Sequence, residues 1–415
     1  MKRETQLEII RELLDQLDHH RTCDAGRVAM GEAAAYTDPE LARREWAAFF
    51  ANHPQVLGLS GELPKPGSYF TSQDLGVPIL ATRDASGRFH AFVNACRHRG
   101  AELTGAPRGE ASRFVCPFHA WTYAPDGRLV GIREAGHFGE VDKSCHGLVE
   151  LPSQEKHGLL VVHPQVRGSV DVDALLGPEL AAELPAWELD RAIYQGESVL
   201  DKPLNWKIAN DTFGEIYHFS SLHRNTLANL LHGDIATYHE WGRNHRIALA
   251  TKYIDAMRGL PESDWSLPPS CVVAYHVFPN VQLVFLAGMC VLARIYPSRE
   301  RVDRSLTRVS HYASPQVAAQ LAQAANVSKV TGDNLYRADT SAQLALDVSA
   351  TLELFVSTVE HEDYAMGAKT QAAANSGKLE YFLFGRNEPA IHHFHNNYRS
   401  ALGMSPLPEY RAGQT

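Results

Sequence analysis

An α+β fold is predicted for this 415-residue chain: a small antiparallel β domain, then a larger domain in which helices flank a twisted antiparallel sheet. Three observations predict it. From about Gly67 to Pro164, short runs rich in Val, Ile and Phe alternate with turns built on Gly, Pro and Asp. From Ile193 to Ser298, longer strand-like runs are mixed with helical ones. Near both ends of the chain, apolar residues recur at three- and four-residue spacing.

Residues 4–20 read as an amphipathic helix, with Leu7, Ile10, Leu14 and Leu17 on one face. Pro39 opens a second helix that runs through Trp46, Phe49 and Phe50. The β runs come next: YFTSQ, VPILATRD, FHAFVNAC, RFVCPFH and HGLLVVHP. A polar stretch with Pro, from Gly177 to Pro185, ends this domain. IYQGESVLDKPL and the run from Cys271 to Ser298 read as strands, and HRIALATKYI alternates as a strand does. The tail from Ala342 to Gly367 has a helical period, and EPAIHHFHNNYRSALG reads as a last helix.

Composition narrows the function classes. Hydrophobic residues make up 44 % and charged residues 21 %, ordinary for a globular protein, and the net charge of −9 points to no nucleic-acid or anionic-membrane surface. The N-terminal stretch MKRETQLEIIRELLDQLDHH is charged, and no run reaches 18 apolar residues, so neither a signal peptide nor a membrane span is expected and the chain is expected in the cytoplasm. Six Cys in this length do not make a disulfide scaffold. Cys23, Cys145, Cys271 and Cys290 show no second metal spacing and are expected as buried or half-buried thiols. There is no G-x-G-x-x-G after a strand and no P-loop, so nothing points to a nicotinamide or flavin site in this chain.

The chemistry concentrates first between Asn94 and His119. Cys96 and His98 are followed, after seventeen intervening residues, by Cys116 and His119. Each half offers one thiolate and one imidazole. A Rieske [2Fe–2S] centre takes two Cys and two His in this way. A zinc ribbon also uses four such ligands, but its usual spacings pair like with like, whereas C-x-H and C-x2-H are mixed pairs. Both pairs follow strand-like residues, so they are expected on two loops at one end of the sheet. Arg97 and Arg99 flank the first loop, and Trp121 and Tyr123 follow the second, either covering the site or packing the sheet.

The second concentration is NWKIANDTFGEIYHFSSLH, residues 205–223. Read as one helix from Trp206 onward, it puts Asp211, Glu215 and His218 on one face. His218 and His223 are five apart, about 140° off a common face on an ideal helix. For both to bind one metal, a break or π-type turn is needed between them, and Ser220-Ser221 is a plausible place. Two His and a carboxylate with open positions are the ligand set of non-haem Fe(II) oxygenases, and a one-electron carrier upstream suits such a site. Phe213, Phe219 and Leu222 are candidate pocket residues.

With these motifs in place, the chain resembles the catalytic α subunit of Rieske non-haem iron oxygenases, the ring-hydroxylating oxygenase family, over most of its length. The resemblance rests on C-x-H-x17-C-x2-H and on Asn205-Trp206-Lys207, Asp211, then Glu215-Ile216-Tyr217-His218 and His223. FGRNEP and HFH near the end are also similar to family members. It implies a domain of N-terminal helices at 1–45 packing with the catalytic domain, a Rieske domain at 46–170 and the catalytic domain at 171–415. It implies that Cys96, His98, Cys116 and His119 hold the cluster, and that His218 and His223 bind a mononuclear Fe(II). The family's third ligand is an Asp with Gln eight residues on, which points to Asp363 and Gln371, with Glu362 and Glu360 as substitutes. The family's bridging acid is Glu215 here, where Asp is usual, and Glu is frequent in members acting on quaternary ammonium substrates. Thr212 stands where the family often has Asn.

The resemblance also implies an activity: an oxygenase that uses O2 as cosubstrate to hydroxylate an aromatic small molecule. The alternative is an N- or O-demethylating monooxygenase acting on a quaternary ammonium or methylated substrate. Electrons would come from an NAD(P)H-dependent reductase, with or without a ferredoxin. The assembly implied is a head-to-tail homotrimer, with or without a β subunit, in which Glu215 bridges His218 of one subunit to His119 of the next. The non-enzyme alternative is a Rieske electron carrier; such a carrier would be near the length of residues 45–165, and the further ~250 residues with His218, His223 and Asp363 argue against it.

Overall fold

The computed structural model describes residues 1–286, 288–324 and 348–413. They form two compact units: Glu45–Ile193, and Met1–Arg44 together with Tyr194–Thr415. The α+β class holds, with helices and antiparallel sheets in both units.

In the unit Glu45–Ile193 a five-stranded sheet has the order Glu150–Leu151, Phe89–Val93, Ile79–Arg83, Ser68–Ser72, Arg108–Glu110. The Asp-Ala-Ser-Gly turn closes its central hairpin. Asp84 accepts from the backbone N–H of Ser86 and Arg88 at 2.8 and 2.9 Å, and Gly87 takes φ 85°. That turn sets the register Ile79↔Val93 and Ala81↔Ala91. A second sheet joins Ser153–Lys156, Leu159–Val162 and Gln55–Leu59, and a third joins Phe114–Val115, Thr122–Tyr123 and Leu129–Gly131. Leu80, Phe92, Phe114, Trp121, Tyr123 and Leu129 pack into one core, and Cys96 and Cys116 belong to it. Residues 171–193 go with this unit, because the helix Val172–Glu183 is pinned to its sheet. Val172 N donates to Gln154 Oε1 at 2.9 Å, and Asp173 pairs with Lys156.

The other unit is built on a seven-stranded sheet. Its order is Ile193–Lys202, Ser305–Ala313, Met289–Pro297, Val281–Leu286, Cys271–Val277, Asn244–Thr251, Leu231–Trp241. Met289–Pro297 and Asn244–Thr251 are buried along nearly their whole length, as strands covered on both faces are. The unit's longer helices among the described residues are Arg3–His19, Pro315–Ala324, the run from Val348 to Asn375, and Pro389–Ala401; shorter ones include Trp206–Asp211. In the first, Ile9, Ile10, Leu13 and Leu14 are the buried stripe. Of the predicted helix Ala342–Gly367, residues 342–347 lie outside the described residues; the rest is helical and continues to Asn375, with a π-turn at Val359–Asp363. Among the described residues no helix is long and apolar enough to cross a membrane. All six Cys are free thiols, and Cys145 is exposed rather than buried because it sits in a surface turn capped by Asp142.

Three histidines, the buried His245 and His276 and the half-buried His393, meet beside this sheet. His245 Nδ1 lies 3.2 Å from His393 Nδ1, and the His245 and His276 rings stack at 4.9 Å. Burial, with the neighbouring His393, pushes the pKa of His276 down to about 3 and holds that of His245 well below the ordinary value. Burial lowers His393 too, against the pull of the Gly242 carbonyl and of Glu240. These groups are neutral in the fold and take up protons below about pH 6.5 when unfolded, so stability is fully present above that pH and is lost as pH falls. His276→Asn keeps an acceptor for Gln282, which donates to His276 Nδ1 at 3.0 Å. The unfolding free energy of the variant relative to the parent should rise by about 1.4 kcal/mol per pH unit as pH falls from 6 to 4. A difference that does not change with pH in denaturant titrations would show that His276 is not held neutral.

Candidate functional site

In the first unit both ligand-bearing loops have the same construction. Gly100 N donates to Cys96 O at 2.8 Å and Ala120 N to Cys116 O at 2.9 Å. In each loop the fourth residue after the Cys takes a left-handed φ, 74° at Gly100 and 57° at Ala120. Cys96 N and Cys116 N donate to Ala101 O and Trp121 O, both at 2.8 Å, which completes each knuckle. Buried Asn94 steadies the first loop through Thr104 O at 2.8 Å.

These knuckles bring Cys96 and Cys116 together as buried thiols and set the His98 and His119 rings 4.5 Å apart. His98 Nδ1 and His119 Nδ1 are buried without a hydrogen-bond partner. Orphaned buried nitrogens are costly, and a coordinated ion or cluster is one thing that satisfies them. Two buried thiols and two such nitrogens fit a Rieske [2Fe–2S] cluster. Trp121 stacks on His98 at 5.2 Å, and the Tyr123 hydroxyl lies 3.3 Å from Cys96 Sγ, so these rings both pack the core and cover the loops. Burial raises the Cys96 thiol above its ordinary pKa, and a metal would take up the thiolate that burial disfavours. Arg97 and Arg99 flank the first loop at the surface, Arg97 exposed and Arg99 exposed with its guanidinium over the Phe118 ring at 5.2 Å.

In the second unit, Asn205 caps the helix Trp206–Asp211 through Lys207 N at 2.9 Å. Asn205 N in turn donates to Gln371 Oε1 at 2.8 Å. Gln371 lies eight residues beyond Asp363, so this buried bond ties the two ligand-bearing segments together. Gly367 makes the close helix contact possible, since a Cβ there would meet Leu204 at 2.7 Å. Lys207 is fully buried among the rings of Tyr36, Trp206 and Tyr398, with Nζ 5.3–5.6 Å from their centroids.

The single helix expected from Trp206 onward is broken, and the break lies before His218 rather than at Ser220-Ser221. The first helix ends at Asp211, and a second, Phe219–Leu222, comes after it. Gly214 turns the chain between them; a Cβ there would press on Ile391 at 3.0 Å, and Gly is a poor helix former. Asp211, Glu215 and His218 therefore do not share a helix face. Asp211 instead accepts from His395 Nε2 at 3.0 Å and from the Tyr36 hydroxyl at 3.1 Å. No π-type turn separates the two histidines. His218 and His223 are the two caps of one short helical turn, where the ideal 140° offset does not apply.

The result is a compact triangle of donors. His218 Nε2 and His223 Nε2 are 3.0 Å apart, and each is 3.1 Å from Asp363 Oδ1. An ion about 2.1 Å from each donor would see them about 90° apart, as on one face of an octahedron; tetrahedral donors would be about 3.4 Å apart. Among the described residues this is the one group of three or more His, Cys, Asp or Glu whose ligand atoms lie within 4.8 Å of one another. The substitute carboxylates are engaged elsewhere: Glu360 pairs with Lys202, and Glu362 accepts from His223 Nδ1 at 2.7 Å. Glu215 takes the Nδ1 side of His218 and also accepts from its backbone N–H at 3.2 Å. Burial opposes charge on His218, but its bonds to Asp363 and Glu215 win and push its pKa to about 9; the bonds from His218 and His223 hold Asp363 below the carboxylate range against burial. Glu388, which sequence reasoning passed over within FGRNEP, is pushed up to about 7 by burial and by the charges of Glu215 and Asp211.

Beside the triangle lies a cavity of about 150 Å³. Its wall is one face of the sheet, read off at alternate residues: Ile247, Leu249 and Thr251, then Val272 and Ala274, Val284 and Leu286, Met289 and Val291. Direct cross-strand partners, Leu249↔Val272, Ala274↔Val284 and Val284↔Val291, make that wall continuous. Phe213 and Phe219 line the cavity, as does Phe355; Leu222 does not. Thr212 lines it too, with its hydroxyl turned back to Ala209 O at 2.9 Å. None of the described lining residues is Lys or Arg.

Residues 189–404 match the family described as "Ring hydroxylating alpha subunit (catalytic domain)", and residues 53–144 match "Rieske [2Fe-2S] domain". The chain is similar to the anthranilate 1,2-dioxygenase large subunit of Acinetobacter baylyi, 33 % identical over 204 residues, 48 % of this chain and 43 % of that protein. It is as similar to the glycine betaine monooxygenase oxygenase subunit of Chromohalobacter salexigens, 33 % over 202 residues, 48 % of this chain and 44 % of that protein. The matched stretches thus span less than half the length of these curated relatives. A quaternary ammonium Rieske monooxygenase solved in complex with L-carnitine shares the fold at a TM-score of 0.71 and 19 % identity, over 92 % of this chain and 97 % of that one. Naphthalene 1,2-dioxygenase from Rhodococcus sp. does so at 0.68 and 18 %, over 96 % and 97 %.

Proposed function

Because this chain belongs to the ring hydroxylating alpha subunit family, we propose that it is the catalytic subunit of a Rieske-type oxygenase that hydroxylates an uncharged aromatic compound. The observation that carries this reading is the triangle of His218, His223 and Asp363 at the edge of an apolar cavity. In this reading His218, His223 and Asp363 hold a mononuclear Fe(II), and Cys96, His98, Cys116 and His119 hold a [2Fe–2S] cluster. When bound, the two centres supply O2 reduction with electrons delivered one at a time. An NAD(P)H-dependent reductase, with or without a ferredoxin, is the source of those electrons.

The protein's own groups orient and shield. Asp363 neutralises charge between the two imidazoles and faces the cavity with them. The strand residues from Ile247 to Val291 exclude water and present aliphatic surface to a flat ring. Glu215 accepts a hydrogen bond from His218 Nδ1–H, which leaves Nε2 free as a ligand atom. Its second role rests on assembly: in a homotrimer it bridges His218 to the partner subunit's His119. The domain arrangement is N-terminal helices at 1–45, a Rieske domain that includes residues 171–193 beside 46–170, and a catalytic domain on the remainder to 415.

A second reading, N-demethylation of a quaternary ammonium compound, is favoured by Glu215 at the bridging position and by the phenylalanines of the cavity, whose faces attract cations. The two readings part on charge. Carnitine, betaine and anthranilate carry a carboxylate, and a buried carboxylate needs a cationic partner that the described lining residues do not offer. With a surrogate reductase, uncharged arenes should be hydroxylated with electron use coupled to product, and the carboxylate-bearing compounds should give no product. Turnover of betaine or carnitine with release of formaldehyde would replace the first reading by the second.

A further inference from the structure

We propose that Glu362 is the positioning residue for His223: its carboxylate, steadied by Thr226, keeps the imidazole protonated at Nδ1 and free at Nε2, and so sets the affinity of the site for ferrous iron. The proposal rests on the reading of His218, His223 and Asp363 as an iron site. It gives Glu362 a part distinct from the substitute-ligand part expected from its place in the chain.

Two consecutive carboxylates grip opposite ends of one ring. Asp363 Oδ1 lies 3.1 Å from His223 Nε2, and Glu362 Oε2 lies 2.7 Å from His223 Nδ1. They are the last two residues of the π-turn Val359–Asp363, a local widening of the helix that recurs at functional sites. His223 is almost wholly buried, with 1 % of its side chain exposed, so with Glu362 in place Nδ1 is held by the carboxylate rather than by bulk water. Glu362 is itself aimed by Thr226, whose hydroxyl donates to the same Oε2 at 3.1 Å. Thr226 N donates to His223 O at 3.0 Å, so the residue that aims the carboxylate is fixed to the backbone of the histidine it serves.

A neutral imidazole binds a metal only through the nitrogen that lacks a proton. An acceptor on Nδ1 selects the tautomer with Nε2 bare and raises its basicity. Glu215 does this for His218 and Glu362 for His223, so both imidazoles are backed by a carboxylate. The two differ in setting: Glu215 lies in the turn between the helices Trp206–Asp211 and Phe219–Leu222, whereas Glu362 is carried by the same turn as the carboxylate of the triangle.

The test is ferrous-iron affinity, measured by chelator competition on protein with its cluster in place, together with the EPR spectrum of the nitrosyl adduct of the ferrous site. Glu362→Gln keeps an acceptor oxygen but no charge and should weaken binding by about tenfold; Glu362→Leu should weaken it by about 100-fold. Thr226→Val should shift affinity in the same direction while leaving Glu362 in place. The visible spectrum of the cluster should be unchanged in all three, and the nitrosyl signal should broaden in Glu362→Leu. Affinities within twofold of the parent in all three variants would overturn the proposal while leaving the iron site standing. So would complete loss of binding in Glu362→Gln with binding retained in Asp363→Asn, since Glu362 would then be a ligand. Retained binding in His223→Ala would remove the iron-site reading, and this proposal with it.

Discussion

His218→Ala should abolish oxygenation while leaving the visible spectrum and the reduced-state EPR signal of the cluster intact. His218 Nε2 is one of three donor atoms 3.0–3.1 Å apart, and two donors do not hold a ferrous ion against water. Iron content should fall by about one per chain. The cluster residues lie between Cys96 and His119, in loops closed by their own backbone hydrogen bonds within the unit Glu45–Ile193. Those backbone bonds are untouched by the substitution, so the absorption of the cluster should not change. Loss of the cluster spectrum in this variant would mean that the two sites have been assigned to the wrong residues.

Glu215→Gln should retain both metals and bind substrate, yet slow electron transfer from the reduced cluster to the second iron by about 100-fold or more. Gln keeps the size of Glu and one acceptor oxygen, but loses the charge and half of the acceptor capacity. One carboxylate accepting from two imidazoles cannot be copied by a group that has one good acceptor. Within the chain, Glu215 already holds the Nδ1 side of His218, and its side chain keeps 14 % of its surface open, enough for a second partner to reach. Single-turnover rates equal to those of the parent would reduce Glu215 to a local support for His218. An active monomer would do the same, because the bridge needs a second chain.

The candidate ligand pairs were legible because they are local. Cys96 with His98, Cys116 with His119, and His218 with His223 sit within a turn or two of chain, where spacing alone decides whether side chains can meet. Strand runs and helical stripes were legible for the same reason, since their periods follow from backbone geometry. The path of residues 205–223 was not. Helical spacing continues through Thr212 to Tyr217, but a Cβ at Gly214 would meet Ile391, a neighbour some 177 positions away that spacing cannot reveal.

Sequence by itself thus determined the fold class, the cluster-type pairs and the pair of histidines, all set by residue type and short-range spacing. Tertiary structure shows where each acid goes. Glu360, Glu362 and Asp363 lie within one turn, and in the sequence only the resemblance, through Gln371, favours Asp363. Lys202 engages the first, His223 Nδ1 the second, and only Asp363 Oδ1 is left within 3.1 Å of both Nε2 atoms. The cavity was decided there as well. Its wall comes from alternate residues of four strands, and which face of a strand turns inward depends on the register of its neighbours and on the helices packed over them.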